Sequence, residues 1–246
     1  MKIKQLHMIF LAAGRGTRFG DSTPKQYAPL ADRPLIEHSL ITLLDFTDKL
    51  TLALAADDHH WPQLKLATDP RIRTVTGGAT RAESARNALL SLRGAKPQDW
   101  VLVHDAARPL LAASDLHKLL AALADEPVGA LLATPIRATV KRADSTDRII
   151  RTEDRRGLWS AATPQIFRYS LLYEGLQQAD DLAQITDEAS AVESLGHSPQ
   201  LIEGTPSNIK ITTPADLAFA ELLLRARQLE SKSKIEPARK TDQQEI

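Results

Sequence analysis

Short apolar runs alternate with amphipathic stretches along most of this chain, and that alternation sets the fold class. Leu6 to Ala12 is almost continuously apolar, as a strand covered on both faces should be. Leu50–Ala55, Arg71–Val75, Trp100–His104 and Val128–Ala133 read as further strands. Between them, Pro34–Phe46 has helical spacing, with Leu35, Ile36, Leu40, Leu43 and Leu44 on one side. Thr80-Arg81-Ala82-Glu83 fits a capping box, a hydroxyl with a carboxylate three residues on, and opens a helix carrying Ala85, Leu89 and Leu92. Ser114 reads as the cap of a helix through Leu123. Strand and helix in turn predict an α/β fold, a mostly parallel sheet with helices on both faces.

Thr139 to Thr152 breaks the pattern. β-Branched and charged residues flank a turn at Asp144-Ser145-Thr146-Asp147, which predicts a hairpin leaving the main sheet. It reads either as an ordinary surface hairpin or as an arm that grips a second subunit. Helices are expected near Tyr169–Ala179 and Asp187–Leu195, with a strand near Pro199–Glu203. Thr213, Pro214 and Asp216 start a last helix with a hydroxyl cap, a proline in the first turn and an acid behind it. From Glu230 to Ile246 the chain turns polar, with four acids and four bases, which predicts disorder. The division expected is one domain over 1–229, its arm at about 137–156, and a tail over 230–246.

The 246 residues hold 31 Lys plus Arg against 31 Asp plus Glu, so nothing in the overall charge suits a general nucleic-acid binder. Cysteine is absent, which removes thiolate catalysis and Cys-ligated metal sites. No apolar stretch is long enough to span a bilayer, and the run after the basic Met1–Gln5 ends at Ala13-Gly14-Arg15, early for a signal peptide. A cytoplasmic protein is expected.

The first strand runs into Ala13-Gly14-Arg15-Gly16-Thr17-Arg18-Phe19, followed by Pro24-Lys25-Gln26. Gly14 and Gly16 let backbone N–H groups approach phosphate oxygens, and Arg18 and Lys25 add positive charge there. The segment lacks the Gly-Lys-Ser/Thr of a P-loop, and Phe19 stands where a dinucleotide fingerprint has its third glycine. Asp105 ends an apolar strand, the edge where open α/β sheets bind ligands. A carboxylate there suits either Mg²⁺ on nucleotide phosphates or ribose hydroxyls. Its neighbour His104 points to the opposite face and reads as a packing residue. His59-His60 reads as a loop pair.

The string from Leu11 to Phe19 with Pro24-Lys25-Gln26 resembles the signature of the 2-C-methyl-D-erythritol 4-phosphate cytidylyltransferase family. Further segments resemble that family's motifs in the same order: Gly77–Ser84, Val101–Pro109, Leu158-Trp159 with Thr163-Pro164-Gln165, Ile185–Ser190, and Asn208-Ile209-Lys210. The likeness covers roughly residues 6 to 225. It departs at Ala79 and Ala138, where acids are common, and at Thr17, where many members carry arginine.

The resemblance implies a three-layer Rossmann-like sheet of the nucleotide-diphospho-sugar transferase kind, with a projecting β-hairpin arm. It implies cytidylyl transfer from CTP to methylerythritol phosphate with release of pyrophosphate, Mg²⁺ as cofactor, and a homodimer that exchanges the arm. The phosphate of the acceptor is the nucleophile and already ionised, so the work is positioning and charge cancellation. By the same resemblance, Arg18 and Lys25 stabilise charge on the α-phosphate, and Arg155 and Lys210 orient the acceptor. Ala13, Gly14, Gly16, Gly78, Ser84, Asp105 and Ala106 contact CTP, while Arg108, Thr139, Thr163 and Thr186 belong to the acceptor pocket. Thr139 or Arg155 would complete the partner's pocket. Ribitol 5-phosphate as acceptor and a non-catalytic nucleotide-binding module are the competing readings.

Overall fold

The computed structural model describes residues 6–14, 23–179 and 181–241, with the side chains of 230–241 excepted. Arg18 and Gly16, both expected at the phosphate loop, lie outside the described residues.

In chain order the strands and helices are β1 (Leu6–Leu11), β2 (Pro29–Leu30), β3 (Arg33–Pro34), α1 (Leu35–Leu44), β4 (Leu50–Leu54), β5 (Ile72–Thr76), α2 (Arg81–Leu90), β6 (Trp100–Asp105), α3 (Ala113–Ala121), β7 (Gly129–Pro135), β8 (Val140–Ala143), β9 (Ile149–Glu153), β10 (Trp159–Arg168), α4 (Tyr169–Gln178), α5 (Glu188–Glu193), β11 (Gln200–Glu203) and α6 (Pro214–Thr241). Seven strands form the main sheet in the order β11-β7-β10-β6-β1-β4-β5. β1 pairs in parallel with β4 and β6, β4 with β5, and β7 with β11, whereas β10 runs against both β6 and β7.

Alternation along the strands builds two cores. Met8, Phe10, Trp100 and Leu102 pack with α1 and α3 on one face, and Ile9, Leu11, Val101 and Val103 with α2, α4 and α5 on the other. Phe10 and Phe167 are fully buried, each contributing roughly 1.5–3 kcal/mol. The chain leaves β1 toward β4 and β5, then crosses back to β6 on its other side. That reversal opens a crevice at the carboxyl ends of β1 and β6.

Three elements differ from the sequence reading. β10 stands in the middle of the sheet, although Pro164 and a run of small residues argue against a strand. The proline is tolerated because β10 slips register against β7 between Ala161 and Gln165, where no ladder N–H is needed. Ser114 is not the cap of α3: Ala112 holds that place with no side-chain hydrogen bond, and Ser114 lies in the first turn. α6 carries helical backbone as far as Thr241, through much of the polar stretch. The Glu, Lys, Ala and Arg of that stretch are good helix formers.

The capping box of α2 forms, with Thr80 accepting from the Glu83 N–H. β8 and β9 make the expected hairpin, paired only to each other. Its residues are largely exposed, Ile149 at 66% and Ile150 at 57%. Among the described residues, no helix is long and apolar enough to cross a membrane.

Candidate active site

The crevice at the ends of β1 and β6 is open to solvent, about 670 Å³ of non-protein space with part of the surrounding solvent included. Ala13, Gly14, Lys25, Gly78, Ser84, Asp105, Ala106 and Lys210 all line it. A second cleft adjoins it, lined by Arg108, Thr163 and Thr186 and sharing Arg81, Asp105 and Lys210 with the first. The fold thus gathers two neighbouring sets of residues from segments up to about two hundred positions apart. Thr139 and Arg155 line neither cleft. They lie on the exposed arm, where the Arg155 guanidinium donates to the Arg137 carbonyl.

Local geometry fixes each member. After β1 the chain returns at Lys25, and the buried Gln26 donates from Nε2 to the Ala12 carbonyl at 2.8 Å, pinning the two ends of the phosphate-loop segment together. Lys25 Nζ donates to the Ile211 carbonyl at 3.0 Å. Gly77 is packed so closely that a Cβ there would come within 2.5 Å of the Ala13 Cβ. Ser84, expected among the CTP contacts, has its hydroxyl engaged by the protein. It is buried, accepting from the Gly78 N–H at 3.0 Å and donating to the Thr80 carbonyl at 2.9 Å, so it braces the glycine turn.

Asp105 is the electrostatic centre. Its Oδ1 accepts from Arg81 Nε at 2.9 Å, and its Oδ2 from Lys210 Nζ at 2.9 Å. Burial alone would raise this carboxyl. The charges and hydrogen bonds of Arg81 and Lys210 outweigh that and hold it well below the usual carboxylate range. Arg81 also gives Nη1 and Nη2 to the two oxygens of Glu188, both at 2.8 Å. Burial pushes Glu188 up, with Arg81 partly offsetting it. The paired geometry, with both oxygens accepting from one guanidinium, is that of an ion pair.

His104 is a packing residue. Its ring is buried, with Nε2 donating to the Arg108 carbonyl at 3.1 Å. Nδ1 is then the acceptor for the Thr163 hydroxyl at 3.0 Å, and that hydroxyl accepts from the Asp105 N–H at 3.1 Å. Burial pushes the imidazole down to about 4, so it is neutral at ordinary pH. Thr163 therefore serves the end of β6 with its side chain. Its own carbonyl accepts from Asn208 Nδ2 at 2.8 Å. Arg108 donates to the Asn208 and Ala161 carbonyls while its buried Nε has no partner.

Arg81 and Glu188 are the functional residues that sequence reasoning left unassigned. Arg81 sits directly after the cap of α2, which was the available signal. A single glutamate beside an N-cap gives none. No cluster of three or more His, Asp or Glu side chains able to hold a metal gathers among the described residues. Among the described residues Asp105 is the one carboxylate lining the first cleft, and its two oxygens already accept from cations. That suits an ion carried in on phosphate oxygens, which needs no more than one protein carboxylate, and not a cage built by the protein.

Comparison with known proteins follows the same outline. The sequence model of the family described as IspD, 2-C-methyl-D-erythritol 4-phosphate cytidylyltransferase, matches residues 6–226. A 2-C-methyl-D-erythritol 4-phosphate cytidylyltransferase of Pseudomonas fluorescens is 53% identical over 221 residues, covering 87% of this chain and 93% of that one. Its counterpart in Ectopseudomonas mendocina is 51% identical over 219 residues, covering 86% and 92%. The crystal structure of the Francisella tularensis enzyme aligns with a TM-score of 0.77 at 31% identity, covering 89% of this chain and 99% of that one.

Proposed function

The chain belongs to the IspD family, the 2-C-methyl-D-erythritol 4-phosphate cytidylyltransferases, and from that premise we propose how its own residues divide the work. The reaction is transfer of a cytidylyl group from CTP to 2-C-methyl-D-erythritol 4-phosphate in non-mevalonate isoprenoid synthesis. A phosphate oxygen of the acceptor forms a bond to the α-phosphorus of CTP. The bond from that phosphorus to the bridging oxygen breaks, and pyrophosphate leaves with the electron pair.

CTP occupies the first cleft. The segment from Ala13 to Gly14 meets the phosphates, and the turn at Gly78, braced by Ser84, meets the base or ribose. Lys25 faces the α-phosphate and offsets charge as bonds reorganise, a role it shares with Arg18. The acceptor occupies the second cleft, its phosphate on Lys210, with Arg108, Thr163 and Thr186 around it. No general base is needed, because the nucleophile is already an anion. Asp105 is the carboxylate that would hold Mg²⁺ brought in on the triphosphate, through a lone pair left beyond its contacts to Arg81 and Lys210, and the ion would supply neutralisation of phosphate charge. The arm carries Thr139 and Arg155 to the acceptor pocket of a second copy in a homodimer. What supports this is their exposure on a projecting hairpin, away from both clefts of their own chain.

The observation that carries the assignment is the convergence of Lys25 and Lys210 on one crevice with Asp105 between the two clefts. Pyrophosphate release with CTP, Mg²⁺ and either methylerythritol phosphate or ribitol 5-phosphate tests it. Turnover is expected with the former. Preference for ribitol 5-phosphate would reassign the acceptor pocket, and no turnover with either would reduce the chain to a nucleotide-binding module.

A further inference from the structure

Glu188 is a carboxylate at 1% exposure that lines neither cleft. A buried charge is costly unless fully paired, and here the pairing is specific. Arg81 spends its outer fork, Nη1 and Nη2, on the two Glu188 oxygens. What remains for Asp105 is the Nε side of the guanidinium, and both of its contacts go to Oδ1. Asp105 Oδ2 is thereby left to Lys210. A guanidinium without a second partner would engage both oxygens of Asp105 fork to fork, the preferred arginine–carboxylate geometry, and would compete with Lys210 for Oδ2.

Glu188 is itself held from the sheet. Gln165 of β10 accepts from the Ala189 N–H at 2.8 Å and donates to Asp187 Oδ2 at 2.9 Å. Asp187 and Ser190 form a capping box around the start of α5. The carboxylate is thus aimed by the fold toward Arg81.

We propose that Glu188 is a positioning residue for cytidylyl transfer: by occupying the outer fork of Arg81 it reserves Asp105 Oδ2 for Lys210, and so fixes the Lys210 ammonium between the nucleotide cleft and the acceptor cleft. The proposal rests on the reading of Lys210 as the cation that receives the acceptor phosphate.

Glu188→Gln removes the charge at nearly constant volume. The expected result is a rise of about 10-fold or more in KM for methylerythritol phosphate, with KM for CTP within about 3-fold of wild type. In the double variant Arg81→Gln, Glu188→Gln nothing competes with Lys210 for Asp105, and KM for methylerythritol phosphate is expected to fall back from the single variant's value. A single variant with a lower Tm and an unchanged KM for the acceptor would mean that Glu188 only stabilises the fold, and the proposal would be overturned. If Glu188→Gln yields no folded protein, Glu188→Asp carries the same test, because it keeps the charge but shortens its reach. A selective rise in acceptor KM there supports the proposal and its absence overturns it. Lys210→Ala runs in parallel. Unchanged acceptor KM in that variant overturns the reading of Lys210 and the proposal with it. A raised value there beside an unchanged one in Glu188→Gln overturns the proposal alone.

Discussion

Lys25 donates from Nζ to the main-chain carbonyl of Ile211 at 3.0 Å, and Ile211 directly follows Lys210. The contact joins the return of the phosphate-loop segment to the stretch that carries the second cation. Two lysines 185 positions apart thus line one crevice, Lys25 bonded to a main-chain carbonyl and Lys210 to the carboxylate of Asp105.

Lys25→Ala removes the charge proposed to act as the α-phosphate reorganises. Turnover is expected to fall by roughly 100-fold or more, the scale of losing one preorganised donor to a developing anion. Steady-state kinetics with both substrates saturating is the measurement. Unchanged kcat would take Lys25 out of the chemical step.

Ser84→Ala leaves the Gly78 N–H without its acceptor, at a cost of about 1 kcal/mol or more. The glycine turn loosens where the nucleotide is expected to sit. KM for CTP should rise severalfold while kcat holds. Titration of the variant with CTP checks it, and an unaltered affinity would show that the turn does not need its brace.

The arm gives a prediction about assembly. If Arg155 serves the partner's site, then mixing Arg155→Ala with Lys25→Ala and allowing subunits to exchange creates dimers with one intact site and one doubly defective site. About a quarter of wild-type turnover per chain should return from two poor enzymes. No recovery, with exchange confirmed by mass spectrometry, would place Arg155 outside the partner's site.

His104 sets a pH dependence of stability. Its folded value is pushed down to about 4 from an ordinary 6.5. Between those values the unfolded chain binds a proton that the folded chain refuses. Stability is therefore complete above about pH 6.5 and is lost as pH falls toward 4, by about 3 kcal/mol in all. Urea denaturation of the wild type and His104→Gln at about pH 7.5 and about pH 5 tests this. The wild type should lose more than the variant, and equal losses would assign the effect elsewhere.

What the sequence made legible was whatever depends on local pattern. The parallel core from β1 to β6 follows from apolar runs and helical spacing. The α2 cap follows from Thr80 and Glu83. The position of Asp105 follows from its place at the end of a buried strand. β10 was hidden because Pro164 and its small neighbours obey strand rules only at a register slip, which no local window reveals. The bracing role of Ser84 is not legible locally, because its helix turns that face into the Gly77–Gly78 turn. Glu188 was unreadable because its meaning lies in Arg81, 107 positions away.

The reversed direction of β10 has a consequence for how such an enzyme can vary. Because β7 ends and β10 begins at the edge where β1 and β6 end, the excursion between them departs and returns beside the crevice. The sheet needs nothing from that excursion except that its two ends meet. Its length and composition can change without touching a single core contact of the parallel half, while any change arrives next to bound substrate. The fold thereby separates the parts that must stay constant from a part free to be rewritten for a different acceptor or a different way of pairing subunits.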